Sequence, residues 1–284
     1  AHRRGHRGRL LRAPRGLGVL GQVSALITVM INAARKAGRR LARDFGEVEH
    51  LQVSRKGPAD FVTAADHKAE EILFEELSRA RPGYGFLFEE RGAVDGTDRS
   101  HRWIIDPLDG TLNFMHGQPH FAVSIALERE GEIVAGVIYD PAKDELFHAE
   151  KGRGAVMNDR RLRVAARSTF QDCVIATGMP FFGKSGHARF LKELHQIMPM
   201  SAGIRRNGSA ALDLAWVAAG RYDGFWERDL KPWDIAAGLV MVREAGGFAG
   251  SIDETGDVLE TGHVVAGNEH VIAELRERLK KANA

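Results

Sequence analysis

The segment that most constrains the fold of this chain is Trp103–Thr111, with the sequence WIIDPLDGT. Its apolar half predicts a buried strand, and that strand ends in two carboxylates that bracket a proline. The proline fixes its own φ angle, and the glycine after the second acid permits a sharp turn. We therefore expect the carboxylates of Asp106 and Asp109 and the carbonyl of Leu108 to converge on one point.

Three hard oxygen ligands at one point suit Mg²⁺. A plainer interpretation is also open, in which Asp109 caps a helix that begins near Thr111 and Asp106 makes a hydrogen bond within the turn. This segment alone favours neither interpretation.

Other acidic residues lie at comparable positions, at the ends of predicted elements. Glu89 and Glu90 follow an apolar run, Asp66 lies at the start of a predicted helix, and Asp234 lies at the start of another. Each position also has a plainer interpretation: a solvated loop for the glutamates, and helix N-terminal charges that complement the macrodipole for the aspartates. Any one of these acids alone is weak evidence for a metal site.

The first half of the chain predicts two helices followed by short strands. Helical spacing of apolar residues extends over Ser24–Phe45, and a second helix begins at Thr63 or Asp66 and ends before Pro82. Between the two helices, Lys56–Asp60 predicts a loop. The predicted strands are Gly85–Phe88, Trp103–Ile105, Phe121–Glu128 and Ile133–Tyr139, the last two joined as a hairpin at Glu130-Gly131. We expect a mixed or antiparallel sheet.

The second half alternates strands and helices, which is typical of an α/β arrangement. The predicted elements are a strand at Val174–Thr177, a helix at Gly186–Ile197, a helix opening at Gly208–Ala211, a strand at Tyr222–Glu227 and a helix from Trp233 to Ala245. We divide the chain into a leader (1–22), an N-terminal metal-binding half (23–165) and a C-terminal substrate-binding half (166–284).

Composition indicates an ordinary globular protein, with a basic start. Residues 1–22 carry six arginines and no acid, and without them 34 basic residues face 38 acidic ones. We expect this leader to be disordered, with a nucleic-acid arm or a transit segment as alternatives. No apolar stretch is long enough to cross a bilayer, and one cysteine, Cys173, allows no internal disulfide. We expect a soluble, cytoplasmic protein.

Several site types are disfavoured. The histidines, including His116 and His120, show no zinc-ligand spacing. The segment Gly203–Ser209 contains glycines but does not close on the Lys-Ser or Lys-Thr pair of a nucleotide-binding P-loop. Trp216, Phe225 and Trp226 are interpreted as core or hairpin packing, in preference to a stacking platform for bases.

The chain resembles the inositol monophosphatase family. The motifs that carry the resemblance are Gly57–Asp60 with Val62–Asp66, Glu89-Glu90, Trp103–Phe114, Lys231–Gly238 and Glu244–Gly247. They cover the chain from about Ser24 to its end, and only the basic leader falls outside the pattern. The resemblance implies an α+β fold, a layered αβαβα sandwich with the site between its two halves.

The resemblance also implies roles for the matched residues. Those that would hold two to three Mg²⁺ ions are Glu89, Glu90, Asp106, the Leu108 carbonyl, Asp109 and Asp234. Those implied for catalysis by a metal-activated water are Asp66, Thr111 and Glu89. Those implied for substrate binding are Asp109, Gly110, Thr111, Gly208, Ser209, Ala210, Glu227 and Asp234. The helix turn after Gly110 can also bind a phosphate oxygen through free N–H groups.

The implied activity is hydrolysis of a small phosphate monoester, with myo-inositol monophosphate first. Divalent ions suit this reaction because the ester is a dianion that repels both hydroxide and carboxylates. Histidinol phosphate, sugar bisphosphates and nucleotide phosphates are alternatives, and a bisphosphate would need a basic pocket such as Arg205 and Arg206. A homodimer and lithium sensitivity are further implications.

A function of another class is also open. The basic leader and the cations Arg35, Lys36, Arg39 and Arg40 suit a non-catalytic partner of the transcription machinery, with association to RNA polymerase or nucleic acid. Ordinary solvation of a charged helix face is the favoured interpretation of the four cations.

Overall fold

The computed structural model describes residues 23–47, 53–57 and 60–284. These residues form eight α-helices and fifteen strands. The helices are Ala25–Phe45 (α1), Ala64–Ala80 (α2), Thr111–Met115 (α3), His187–Ile197 (α4), Ala210–Ala218 (α5), Pro232–Glu244 (α6), Val258–Thr261 (α7) and Glu269–Ala282 (α8). The strands are Val53–Gly57 (β1), Asp60–Thr63 (β2), Tyr84–Phe88 (β3), Ala93–Val94 (β4), Asp98–Asp109 (β5), Ala122–Arg129 (β6), Glu132–Asp140 (β7), Glu145–Glu150 (β8), Gly154–Met157 (β9), Arg160–Arg161 (β10), Val174–Thr177 (β11), Gly203–Arg205 (β12), Gly224–Glu227 (β13), Phe248–Ser251 (β14) and Val264–Gly267 (β15). The predicted leader lies outside the described residues.

Most strands belong to two mixed sheets. The first has eight strands in the order β10-β9-β8-β7-β6-β5-β3-β4, and the second has five in the order β12-β11-β13-β15-β14. In the first sheet β3 and β5 are parallel, and in the second β11 is parallel to both of its neighbours. The mixed sheet expected for the first half and the α/β character expected for the second are both confirmed.

Helices and sheets alternate in five layers. One buried cluster joins α1 and α2 to the eight-stranded sheet, with Met30, Leu73 and Trp103 among its members. A second joins both sheets to α5 and α6 between them, and a third joins α4 and α8 to the outer face of the five-stranded sheet. This is the αβαβα sandwich that the motifs implied.

Strand β6 shows why the central strands are apolar without alternation. Val123 and Ile125 belong to the cluster with α1 and α2, whereas Ala122 and Ala126 belong to the cluster with α5 and α6. Successive side chains point to opposite faces of a sheet. Because helices cover both faces, the first six residues of the strand are all buried.

Helix α6 lies between the sheets and is buried on nearly all sides, which explains its apolar sequence. Gly238 permits its close approach to α5, because a Cβ at this position would lie 2.5 Å from the Cβ of Leu214. The layer between the sheets therefore depends on a residue without a side chain.

Serine and threonine caps fix the starts of the first two helices. Ser24 Oγ accepts a hydrogen bond of 3.1 Å from the Ile27 N–H. Thr63 and Asp66 form a reciprocal capping box at the start of α2. Of the two starts expected for the second helix, Thr63 is therefore the N-cap, and Asp66 lies in the first turn.

Three sequence expectations were wrong in extent. Lys56, Gly57 and Asp60, expected in a loop, belong to the antiparallel pair β1 and β2, while positions 58 and 59 lie outside the described residues. Turn-forming residues mark a reversal but do not limit how far pairing continues. The strand expected at Trp103–Ile105 extends over Asp98–Asp109.

The third difference concerns β13, which begins at Gly224 and not at Tyr222. The N–H groups of Arg221 and Tyr222 both donate to the Trp216 carbonyl, at 2.9 and 3.3 Å. These residues therefore belong to the turn that ends α5.

Among the described helices, none combines the length and the apolar character that crossing a membrane requires. The division of the chain at 165/166 stays a prediction.

Candidate active site

The acidic end of β5 leaves the sheet through a bulge. In the pairing with β6, Asp106 lies opposite Ser124 and Asp109 lies opposite Ala122, so β5 holds one extra residue between its two acids. Pro107 lies in this bulge, where its missing N–H breaks no ladder hydrogen bond. The sequence WIIDPLDGT thus continues as strand through its second acid.

Three carboxylates meet beyond this bulge. One oxygen from each of Asp106, Asp109 and Asp234 lies within 4.8 Å of the other two. Asp234 comes from the first turn of α6, where its Oδ2 accepts a hydrogen bond of 2.7 Å from the Lys231 N–H. Two layers of the sandwich therefore contribute acids to one point.

Mutual repulsion and burial disfavour ionisation of these acids. Burial, and then the charges of Glu89, Asp109 and Asp234, hold the pKa of Asp106 well above its usual range. Burial and the neighbouring carboxylates raise the pKa of Asp234 to about 8. Burial raises the pKa of Asp109 to about 6, although hydrogen bonds from Ser209 and Ala211 oppose this rise.

A hard divalent cation fits this donor set. A cation reverses the sign of the local field, so it offsets the repulsion that raises the three pKa values. Carboxylate oxygens are the preferred ligands of Mg²⁺. Within the described part of the chain, the group of acidic, histidine or cysteine side chains close enough to share an ion contains no histidine.

The loop after β3 brings two further acids to the site. Because β3 and β5 are parallel, with Phe88 opposite Ile105, both strands end at the same edge of the sheet. The charge of Glu89 raises the pKa of Asp106, and the charge of Glu90 raises the pKa of Asp66.

Thr111 and Asp66 form a hydrogen-bonded pair beside the acids. Thr111 Oγ1 lies 3.0 Å from Asp66 Oδ1 and 3.0 Å from the Leu108 carbonyl oxygen. Asp66 also accepts hydrogen bonds from the N–H and hydroxyl of Thr63, yet burial raises its pKa. The Leu108 carbonyl has a second lone pair, so the contact with Thr111 leaves it able to bind a cation.

The start of α5 is hydrogen-bonded to Asp109, one of the three clustered carboxylates. Asp109 Oδ2 accepts hydrogen bonds from Ser209 Oγ at 2.5 Å and from the Ala211 N–H at 2.8 Å. Asp109 therefore binds the first turn of α5, whose N-cap is Ser209, and the N-cap of α3 is Gly110, with a φ of 92°. The plainer interpretation, in which Asp109 caps the helix beginning near Thr111, was wrong, because no side chain caps α3 and the Asp109 carboxylate binds the start of α5.

Glu227, at the end of β13, lies on a cavity of about 460 Å³ that Glu89 and Asp234 also line. Burial, and then the charges of Asp234 and Asp109, raise the pKa of Glu227 to about 8. A Cβ at Gly178 would collide with the Glu227 carboxylate, so a larger residue there would displace that carboxylate from its present position. The cavity thus joins the acidic cluster to a second polar group.

Comparison with known proteins identifies the family. The sequence model of the inositol monophosphatase family matches residues 22–282. The chain belongs to this family. An inositol-1-monophosphatase of Mesorhizobium japonicum is 64% identical over 91% of this chain and 97% of its own length. The predicted family resemblance is therefore confirmed.

Two other relatives in the family carry different names. The crystal structure of the extragenic suppressor protein suhB from Bartonella henselae is 60% identical and has a TM-score of 0.89, covering 91% of this chain and 99% of that chain. The Nus factor SuhB of Escherichia coli K12 is 41% identical over 90% of this chain and 98% of its own length.

Of the acidic residues expected at the site, the structure brings Asp106, Asp109 and Asp234 together, and it also shows neighbouring residues that sequence reasoning missed. Glu70 accepts a hydrogen bond from Glu90, Asn113 donates one to Gly208, and Gly178 lies beside Glu227. Asp213 is a fourth such residue. Asp213 is 1% exposed, and burial followed by the charges of Glu227 and Asp109 holds its pKa well above the usual range. An acid inside the apolar sequence of α5 was the available signal for Asp213.

Proposed function

We propose that this protein hydrolyses inositol monophosphate with the help of divalent metal ions held at the acidic end of β5. It is a phosphoric monoester hydrolase, as its inositol-1-monophosphatase relatives are named. The observation that carries the proposal is the approach of three carboxylate oxygens, from Asp106, Asp109 and Asp234, to within 4.8 Å of one another.

The residues proposed to hold the metal are Glu89, Glu90, Asp106, the Leu108 carbonyl, Asp109 and Asp234. Two to three Mg²⁺ ions are the proposed complement. Bound there, such ions neutralise the phosphate charge, increase the acidity of water and stabilise the leaving oxygen. The carboxylates bind the cation in their ionised form. Their raised pKa values mean that ionisation is unfavourable when no cation is bound.

Thr111 and Asp66 are proposed to orient the attacking water and to accept its proton. The Thr111 hydroxyl can accept a hydrogen bond from water while it donates to Asp66 Oδ1, 3.0 Å away. Asp66 is buried, and burial raises its pKa, which makes it a stronger base than an exposed carboxylate. Glu89 is proposed to assist from the loop after β3.

The start of α5 and the end of β13 are proposed to bind the hydroxyl-bearing part of the substrate. Gly208, Ser209 and Ala210 open α5, and Glu227 lines the cavity beside Asp234. Gly110 and Thr111 are proposed to contact the phosphate. Asp109 and Asp234 are proposed to bind both the metal ions and the substrate.

The deciding experiment measures phosphate release from myo-inositol 1-phosphate, with and without Mg²⁺. Asp106→Asn nearly preserves shape and removes a ligand charge, so we expect it to abolish the metal-dependent release. Asp172→Asn, at an exposed position, is the matched control and should keep wild-type activity. No release by folded, Mg²⁺-treated wild type would contradict the proposed substrate.

A panel of histidinol phosphate, a sugar bisphosphate and a nucleotide 3′-phosphate then ranks the other phosphate esters. Arg206 lies near enough to the cavity for its charge to lower the pKa of Glu227. A strong preference for a bisphosphate, lost in Arg206→Gln, would replace inositol monophosphate as the proposed substrate.

The Nus factor relative supports a second candidate, a role as a partner in transcription. The basic face of α1 gives it limited support, because Lys36 pairs with Glu76 at 2.7 Å and Arg40 pairs with Asp44 at 2.9 Å. Binding of labelled RNA by the full chain and by residues 23–284 tests this candidate. Equal RNA binding by the two forms would show that the leader does not contribute to it. No RNA binding by either form would contradict a nucleic-acid partner.

A homodimer, inhibition by lithium and a cytoplasmic location are further proposals that follow from the family. Light scattering after gel filtration tests the dimer, and phosphate release at increasing Li⁺ tests the inhibition. A monomer in solution or activity unaffected by Li⁺ would contradict them.

A further inference from the structure

Glu70 is a buried carboxylate close to the active site that the proposed mechanism does not use. It lies on α2, one helical turn after Asp66, and is 3% exposed. Buried acids are rare unless other groups satisfy them. The partners of Glu70 therefore indicate what it does.

The partners of Glu70 belong to the loop that follows β3. Glu70 Oε2 accepts hydrogen bonds from two successive backbone N–H groups, those of Glu90 at 3.1 Å and Arg91 at 3.3 Å. Its Oε1 lies 3.4 Å from Arg91 Nε. Two consecutive amides directed at one oxygen fix the orientation of the backbone that carries Glu89 and Glu90.

Arg91 closes the contact from the other side. Its guanidinium carbon lies 4.5 Å from the centre of the Phe74 ring and 5.6 Å from that of Phe88. The arginine is half-exposed, so its ion pair with Glu70 contributes little by itself. The hydrogen bonds between the buried carboxylate and the backbone are the stronger constraint.

The orientation of this loop matters to the site. The charges of Glu89 and Glu90 act on Asp106 and Asp66 respectively. A rotation of the peptide between the two glutamates would move both carboxylates. Groups that orient metal ligands typically change metal affinity about 10-fold to 100-fold when they are removed.

We propose that Glu70 is a positioning residue that sets metal affinity by holding the backbone of the Glu89–Glu90 loop. The proposal rests on the metal-binding role proposed above for these two glutamates. Glu70 itself touches neither substrate nor metal, and acts through the N–H groups of Glu90 and Arg91.

Mn²⁺ is the probe, because the electron paramagnetic resonance signal of free Mn²⁺ gives a dissociation constant without any activity measurement. Glu70→Met keeps the approximate length of the side chain and removes the acceptor oxygens. We expect it to weaken Mn²⁺ binding about tenfold or more. Glu71→Met, at the next and exposed position of the same helix, is the matched control and should bind Mn²⁺ as wild type does.

Glu70→Gln is the conservative variant. Its amide oxygen can still accept from the two backbone N–H groups, so we expect Mn²⁺ affinity between those of wild type and Glu70→Met. High Mg²⁺ should restore kcat in both variants with an unchanged KM for substrate. A merely structural role would lower Tm in EDTA and leave the Mn²⁺ dissociation constant unchanged.

Equal Mn²⁺ affinity in folded Glu70→Met and Glu71→Met would overturn the proposal. If Glu70→Met does not fold, the decision passes to Glu70→Gln, where an affinity equal to wild type would overturn it. Failure of the proposed function is distinguishable: wild type would then release no phosphate from myo-inositol 1-phosphate, while the difference in Mn²⁺ affinity between positions 70 and 71 would remain.

Discussion

Ser209 donates a hydrogen bond of 2.5 Å from its Oγ to Oδ2 of Asp109, and this contact joins the acidic end of β5 to the first turn of α5. The Ala211 N–H donates to the same oxygen at 2.8 Å. A candidate metal ligand is thus oriented by the helix proposed to bind the substrate. A substitution in the first turn of α5 is therefore expected to alter metal binding by Asp109, and a substitution of Asp109 is expected to alter the start of α5.

Ser209→Ala tests this connection. Ser209 Oγ also accepts from the Leu212 N–H at 3.4 Å as the N-cap of α5. Loss of the cap should cost about 1 kcal/mol of unfolding free energy, measured with urea. Loss of the bond to Asp109 should in addition raise the Mg²⁺ concentration needed for half-maximal activity.

Ser24→Ala is the matched control, because Ser24 caps α1, a helix that carries none of the proposed site residues. It should lose a similar unfolding free energy and keep the wild-type Mg²⁺ dependence. The same Mg²⁺ dependence in both variants would contradict the coupling between Asp109 and α5.

Thr111→Val should separate catalysis from binding. The substitution keeps the shape of the side chain and removes the hydroxyl that lies 3.0 Å from Asp66 Oδ1. If this pair moves the proton of the attacking water, kcat should fall about 100-fold or more, with little change in KM. Thr111→Ser should retain most of the activity, because it keeps the hydroxyl.

Thr28→Val on α1 removes a hydroxyl that donates to the Ser24 carbonyl and controls for the substitution itself. Steady-state kinetics on all three variants makes the comparison. A Thr111→Ser variant as slow as Thr111→Val would show that the hydroxyl is not the active group.

The stability of the metal-free protein should fall as pH rises. Burial and neighbouring carboxylates raise the pKa of Asp234 from 3.8, and that of Glu227 from 4.5, to about 8 in each case. Below the ordinary values both groups are protonated in the folded and the unfolded chain. Between those values and about 8 the unfolded chain ionises first, so folding loses free energy.

Mg²⁺ favours the ionised carboxylates, so the rise in Tm that it produces should grow over the same pH range. Thermal unfolding in EDTA and in Mg²⁺, from about pH 5 to about pH 8, measures both trends. Asp234→Asn should reduce both. A Tm in EDTA that increases steadily with pH would contradict the assignment.

Gly238→Ala should destabilise the fold although alanine favours helices. The intrinsic preference for alanine is worth about 1 kcal/mol, whereas overpacking a core costs about 1 to 3 kcal/mol. The new Cβ would lie 2.5 Å from the Cβ of Leu214, an atom that cannot move without its helix. We expect a net loss in unfolding free energy, measured with urea.

Gly250→Ala is its control, because no atom lies within 4 Å of the Cβ added there. It should not destabilise the protein. A stabilised Gly238→Ala variant would show that α5 and α6 can separate at little cost.

Local patterns in the sequence identified the apolar strand, its two acids and several helix starts. They missed Glu70, which lies in none of the motifs, and Asn113, which lies in the motif Trp103–Phe114 but was assigned no role. Asn113 Nδ2 donates to the His120 and Asn207 carbonyl oxygens at 2.8 and 2.7 Å, and so links α3 to the loop before α5. One of these partners is 94 residues away, a separation that no local pattern encodes.

The sequence by itself determined what neighbouring residues decide: an apolar strand that ends in Asp106 and Asp109, several helix starts, and the motifs that identify the inositol monophosphatase family. Only the tertiary structure decided which acids meet. The parallel register of β3 with β5 brings Glu89 to the edge where Asp106 lies, and the position of α6 between the sheets brings Asp234 to the same edge. Sheet register and layer packing are set by contacts between distant segments, so the site exists only once the whole sandwich has formed.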